Sequence, residues 1–174
     1  MPTTDNQNEI FDAVDVNDRV IGQATRREVH QNKDIIHRSV AIAVFNLQQM
    51  IFLQRRNVGK DTDALLWTIS CSGHVATGES YMVAAKRELK EELGIDRAAL
   101  NYLTKFIYRG ESETEYTCLY KIDYGGAIIL KTDEILEGRF FSIGELKTMV
   151  AANEISLNLY GRIALEKLGW LDRS

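Results

Sequence analysis

The sequence predicts the α/β class, with a mixed β-sheet covered by helices. Three observations carry that expectation. Residues 38–45, RSVAIAVF, are almost wholly apolar and rich in β-branched side chains, as a central strand buried on both faces is. Over residues 80–93 the periodicity becomes helical, with Ala84, Ala85, Leu89 and Leu93 recurring at three- and four-residue steps. Further strand-like and helix-like segments are interspersed along the rest of the chain. With 174 residues, 45% hydrophobic and 26% charged, the composition is that of one globular domain with its own core.

The elements follow in order. Residues 9–24 read as a hairpin, with Asn17-Asp18 between two β-favouring runs. Residues 25–36 are polar and read as a short helix or loop. After the apolar strand come the turn NLQQ, a second strand MIFLQRR (50–56) and a polar loop over 57–65. LLWTIS (65–70) reads as a strand leading into a glycine-containing turn, CSGHVATGE (71–79). A helix is expected from Ser80 to Leu93, with Gly94 as its C′ residue. Residues 102–108 and 115–123 alternate as strands do, and Arg139-Phe140-Phe141 is a short third run. Ser142 and Glu145 have capping-box spacing for a helix over 143–152, and 157–168 form a last amphipathic helix. The single proline is Pro2, and no Gly/Ser-rich stretch or repeat divides the chain. One domain over residues 9–174 is expected, with residues 1–8 loose.

Composition excludes several classes. Twenty-one basic against 25 acidic residues give a net charge of −4, with no basic run, so nucleic acid is not expected as a partner. No apolar stretch approaches the ~18 residues of a membrane span. The opening MPTTDNQNEIFD has neither the basic nor the apolar region of a secretory signal, which points to the cytoplasm. Cys71 and Cys118 fit no zinc or disulfide framework and read as buried small residues. Trp67 and Trp170 read as packing residues.

The chemistry is concentrated in residues 73–95, GHVATGESYMVAAKRELKEELGI. Glu88, Glu91 and Glu92 stand at i, i+3 and i+4, so three carboxylates share one helix face. Their mutual repulsion is relieved by a divalent cation, and hard oxygen donors favour Mg²⁺ or Mn²⁺, which also hold substrate phosphates. Arg87 falls to a different side, where Glu79 can pair with it and brace the turn before the helix. Gly73 lets the backbone approach the metal and offer its carbonyl. A bare E-x-x-E-E reads first as a solvated glutamate face, with Lys86 and Lys90 as partners. The glycines, Arg87 and Glu79 in register with it favour the metal site.

The whole stretch resembles the signature of the Nudix hydrolase superfamily. Its elements here are Gly73, Glu79, Arg87-Glu88-Leu89, Glu91-Glu92 and Gly94-Ile95. The resemblance implies an α/β/α sandwich with a mixed sheet between helices. It also implies metal-dependent cleavage of a nucleoside diphosphate linked to another moiety. Glu88, Glu91, Glu92 and Gly73 would hold the metal, Arg87 and Glu79 would complete the catalytic set, and one glutamate would act as general base. The substrate would be a small-molecule diphosphate, in the first place a nucleotide.

A narrower resemblance, from about Asp15 to Tyr120, is to isopentenyl-diphosphate isomerase and the Nudix hydrolases most similar to it. The residues that carry it are DVNDRVIG, His37-Arg38, QRRNVGK and the Trp67 strand running into SCSGHVATGES. It implies a second metal cluster of His30, His37, His74, Glu113 and Glu115, with Arg56 and Lys60 contacting the diphosphate. Two departures stand out. The isomerase's catalytic cysteine position holds Ser72, and Cys71 is one place earlier, which on a strand turns the thiol to the opposite face. The isomerase's glutamate box is degenerate, whereas Glu88, Glu91 and Glu92 are all present. A hydrolase on an isomerase-like frame is therefore expected. An isomerase-like enzyme and a non-catalytic nucleotide-binding module are the alternatives.

Overall fold

The structure, a computed structural model, describes residues 5–172. Residues 1–4 of the terminus expected to be loose lie outside the described residues, while residues 5–9 make polar contacts with later parts of the chain. The elements in chain order are β1 (Ile10–Val14), β2 (Val20–Thr25), α1 (Arg26–Gln31), β3 (Ile36–Phe45), β4 (Ile51–Arg56), β5 (Trp67–Thr68) and β6 (Cys71–His74). There follow α2 (Tyr81–Leu93), β7 (Asn101–Arg109), β8 (Thr114–Asp123), β9 (Ile135–Phe141), α3 (Ile143–Ala151) and α4 (Leu159–Lys167).

The strands form one nine-stranded mixed sheet with β3 as its spine. β3 pairs in parallel with β8 along its whole length, from Ile36↔Thr114 to Phe45↔Asp123. On its other edge β3 pairs antiparallel with β1 at Val14↔Ile36, with β6 from Ser39↔His74 to Ile42↔Cys71, and with β4 only at Phe45↔Ile51. Strand alternation divides the β3 side chains between two layers. Val40, Ile42 and Val44 pack with Ala85, Leu89 and Leu93 of α2, whereas Ala41, Ala43 and Phe45 pack with Leu146 of α3 and Leu165 of α4. Helices therefore cover both faces, as the α/β/α expectation requires.

Local chemistry explains the ends of the elements. The stretch 25–36 resolves as a short helix because Thr25 and Glu28 form a reciprocal capping box. Ser80 caps α2 by accepting from the Val83 amide, and Gly94 ends it at φ 68°, a left-handed conformation that glycine adopts without strain.

Three elements differ from expectation. CSGH is a strand, not part of a turn, because residues 71–74 find four ladder partners on β3. LLWTIS yields a strand of only two residues. Beyond it the Ser70 hydroxyl accepts from the Val44 amide at 2.8 Å and donates to the Phe52 carbonyl at 2.5 Å, bridging β3 and β4 where they part. The last strand begins at Ile135, not at Arg139. Its Gly138 continues the ladder by leaving room for the Phe52 ring, which would lie 2.3 Å from a Cβ there.

Candidate active site

The fork between β3 and β4 opens a cleft of about 210 Å³ along the free edge of β6. The α2 residues Arg87, Glu88, Glu91 and Glu92 line one side. Glu88 and Glu92 belong to the buried stripe of the helix, at 9% and 5% exposure, while Glu91 stands at the rim. Gly73 lies under Glu88 so closely that a Cβ would be 2.1 Å from its carboxyl carbon. No side chain larger than hydrogen fits beneath that carboxylate.

Arg87 makes the expected bidentate pair with Glu79, at 3.1 and 3.0 Å, and also donates to the His74 carbonyl at 2.9 Å. It thereby ties the helix to β6 and to the turn before α2. Its remaining nitrogen reaches Glu88 at 2.6 Å and Glu91 at 3.4 Å, so it serves as counter-charge to the cluster as well as brace. Glu92 accepts from the buried Gln54 amide at 2.9 Å. Burial raises Glu88 to about 7, Arg87 opposing and Glu91 and Glu134 adding repulsion. Burial, then Glu88 and Glu134, raise Glu92 to about 8. Two carboxyls that resist ionisation side by side, with all-oxygen donors, are a fit for a hard divalent cation.

Residues on the opposite face of β3 and β6 line the same cleft. Glu113 lies between three imidazoles: its Oε2 is 3.0 Å from His30 Nε2, 3.5 Å from His37 Nε2 and 3.6 Å from His74 Nε2. Glu115 Oε1 is 3.4 Å from His74 and 3.6 Å from His37. Ligand atoms of His37, His74, Glu113 and Glu115 all lie within 4.8 Å of one another. Phe11 supports the rings from below, stacked on His37 at 5.4 Å. Both nitrogens of His37, Nε2 of His30 and Oε2 of Glu113 are buried without an aligned hydrogen bond. Close approach without alignment is what donors aimed at a common point show, and mixed imidazole and carboxylate donors suit a transition metal. Arg26 Nη1 stands 3.1 Å from His74 Nδ1, so in the neutral ring the proton sits on Nε2, facing the carboxylates. A cation here would take the place of that proton.

Side-chain direction on β6 separates the two residues on which the isomerase resemblance turns. Ser72 lines the cleft with His74, whereas Cys71 is fully buried in the layer under α2. Burial and the neighbouring Glu92 and Glu88 push the Cys71 thiol well above its ordinary value. Of the paired arginines, Arg56 lines the cleft, and Arg55 turns outward to Glu137 at 3.0 Å. Lys60 also lines the cleft, but its ammonium is engaged by Asp5 and Glu134.

Sequence reasoning missed several cleft residues. Glu134 approaches the box from the loop after β8, and Asp5 and Arg26 from the N-terminal side. Asp63 is held by Asn158 at 2.8 Å. None belongs to a local pattern. Their association is made by the fold.

A mixed sheet sandwiched by helices, with a glutamate-bearing helix laid beside its central strand and a cleft at the strand fork, is the architecture of a NUDIX domain. A family model of that domain matches residues 35–159, and the chain belongs to this family. Curated relatives carry two kinds of name. The chain is 33% identical over 147 residues to isopentenyl-diphosphate Delta-isomerase 2 of Photorhabdus laumondii, covering 82% of each chain. It is 32% identical over 160 residues to an uncharacterized Nudix hydrolase of Streptomyces coelicolor, covering 89% of this chain and 88% of that one. Among solved structures, the DR0079 protein of Deinococcus radiodurans superposes with a TM-score of 0.78 at 25% identity, over 90% of this chain and 97% of the other. The NUDIX domain of Shewanella oneidensis NrtR, solved with ADP ribose, shares the fold with a TM-score of 0.60 at 14% identity, over 80% and 88%. No helix among the described residues is long and apolar enough to cross a membrane.

Proposed function

We propose that the protein hydrolyses the phosphoanhydride of a small-molecule diphosphate, in the first place a nucleoside diphosphate linked to a second moiety, with Mg²⁺ or Mn²⁺. The observation that carries this reading is the pair of buried carboxyls, Glu88 and Glu92, facing a cleft that also holds Arg56. Glu88, Glu91, Glu92 and the Gly73 carbonyl are the groups that would hold the cation. Bound there, a divalent ion neutralises the diphosphate and lowers the pKa of a water it holds. The chain supplies the rest. Arg56 receives a phosphate oxygen, Arg87 and Glu79 keep the box helix in register with β6, and one of the glutamates takes the proton of the attacking water. Burial opposes ionisation of Glu134, but Lys60 and Lys131 outweigh it and hold this carboxyl below its ordinary value. Glu134 is thus suited to remain an anion beside the cation, and less suited to accept a proton.

The test is a metal-supplemented turnover screen over nucleotides, nucleotide sugars, dinucleotides and isoprenoid diphosphates. Cleavage of the phosphoanhydride, read as new phosphomonoesters or phosphate, that stops on chelation supports the reading. Absence of turnover on every member would sink it.

The converging histidines favour one second reading, an isomerase-like enzyme acting on an isoprenoid diphosphate. The placement of Cys71 opposes it, since a buried thiol on the far face of β6 cannot exchange protons with a carbon in the cleft. Incubation with isopentenyl diphosphate in D₂O separates the two. Deuterium uptake without phosphate release indicates isomerisation.

A further inference from the structure

The four cationic side chains of the cleft, Arg26, Arg56, Lys60 and Arg87, are not equivalent. Arg87 is committed to Glu79, Glu88 and Glu91. Arg26 is bound to Asp61 at 3.2 Å, with Asp5 and Glu9 each at 3.8 Å. Lys60 lies 2.5 Å from Asp5 and 3.4 Å from Glu134. Arg56 alone of the four has no carboxylate in ion-pair range among the described residues. Its guanidinium donates to the Thr62 carbonyl at 3.0 Å and hydroxyl at 3.4 Å.

Asp5 reaches the cleft because the chain folds back on itself before β1. The Glu9 amide donates to the Asn6 carbonyl at 3.1 Å, the Arg27 amide to Gln7 at 3.2 Å and the Arg26 amide to Glu9 at 2.8 Å. The Gln7 side chain spans from the Asp5 carbonyl to Asp61, at 3.3 Å each. The Asp5 carboxylate then meets an ammonium on one oxygen and the Asp61 backbone amide at 3.2 Å on the other, with the Arg26 guanidinium beyond. An ammonium, a guanidinium and a backbone N–H converging on two oxygens make the donor set of a phosphate subsite. The Asp5 side chain is 10% exposed, so it fills this place rather than covering it from outside.

We infer that Asp5 occupies a phosphate-sized subsite between Lys60 and Arg26, so that a diphosphate is received first at Arg56 and gains Lys60 only by displacing Asp5. Asp5 is thereby a specificity-determining residue. It cancels the second cation of the cleft and disfavours a further anionic group on the substrate. Burial opposes its charge, but Lys60 and Arg26 hold its carboxyl well below the usual carboxylate range. Protonation at neutral pH therefore does not release it, and a competing anion does. The inference rests on the diphosphate reading of the cleft.

The test is calorimetric titration of the full chain with methylenebisphosphonate, a diphosphate mimic that is not hydrolysed, in Mg²⁺. Arg56→Met is expected to weaken binding at least about tenfold, and Asp5→Asn to tighten it about tenfold, the range for desolvated charge pairs at binding sites. The loss caused by Lys60→Met is expected to be several-fold larger in the Asp5→Asn background than in the wild type, with Lys60→Gln as a second variant. If Asp5→Asn leaves the affinity unchanged, or Lys60→Met costs the same in both backgrounds, the inference is overturned. A wild-type protein that shows this pattern but hydrolyses no phosphoanhydride refutes the hydrolase reading and leaves the subsite standing.

Discussion

Replacing Gly73 by alanine should disable the carboxylate cluster while sparing the fold. An ideal Cβ at this position falls 2.1 Å from both Cδ and Oε1 of Glu88, against the 3.4 Å of ordinary contact, so the carboxylate must retreat by about 1.3 Å. The obstructing atoms are the far end of a flexible side chain, not backbone. The strand can therefore keep its pairing with Val40. The stability cost should stay near the ~1–3 kcal/mol of a modest overpacking. Function should suffer far more. Sites of this kind need their ligands within about 0.5 Å, and a misplacement of about 1 Å costs on the order of 10²-fold in rate. Turnover measured against Mg²⁺ concentration should show a loss of about 10²-fold and a raised metal requirement, while the urea midpoint moves little. Gly78→Ala is the control. That residue sits in open space at φ 75°, so its alanine variant should lose stability without losing rate. A Gly73→Ala protein with the wild-type rate and metal dependence would refute the argument.

Other outcomes follow from the same geometry. Glu92→Gln should lower turnover by at least about 10²-fold without destabilising the chelated protein, because a neutral amide replaces a buried carboxyl that the fold already keeps protonated at neutral pH and can still accept from Gln54; marked unfolding of the variant would contradict this. Burial raises Glu88 to about 7 and Glu92 to about 8 in the fold against an ordinary 4.5, so the folded chain holds protons that the unfolded chain has released. Stability of the chelated protein should therefore fall as pH rises from about 4.5 to about 8, and Glu88→Gln should flatten that slope. Denaturant midpoints rising over this window would show the sign to be wrong. The wild-type protein should retain a transition metal through dialysis, and Glu113→Gln, which removes the oxygen shared by three imidazoles, should lose it by elemental analysis. Equal metal content in both would remove the His/Glu cluster as a cation site.

The helix that bears the glutamates was legible to within one residue, Ser80 proving to be its cap rather than its first residue, since its apolar spacing and its terminal glycine lie within one continuous stretch. The convergence of His30, His37, His74, Glu113 and Glu115 was legible only through resemblance. Four elements, α1, β3, β6 and β8, must fold before those side chains meet, and nothing local in the sequence requires it. Gly73 misled the reading of β6 because a glycine between serine and histidine looks like a turn. Its true reason is the carboxylate pressed against it from α2, which only the packed layers show. Gly138 misled the reading of β9 for the same reason, with an aromatic ring in place of the carboxylate. Glu134, Arg26 and Asp5 were invisible because charged residues in polar segments are common, and only the ion pairs of the folded chain single these three out.

The alternation of side chains along β6 has a consequence for how this protein could have diverged. Cys71 and Ser72 differ in chemistry but stand one position apart, and the ladder to β3 alone decides which of them faces the cleft. Exchanging the two, Cys71→Ser with Ser72→Cys, would carry the thiol to the cleft while leaving Gly73 beneath Glu88 and His74 in its place. The distance between a thiol-bearing and a carboxylate-driven cleft on this frame is therefore one position along a four-residue strand.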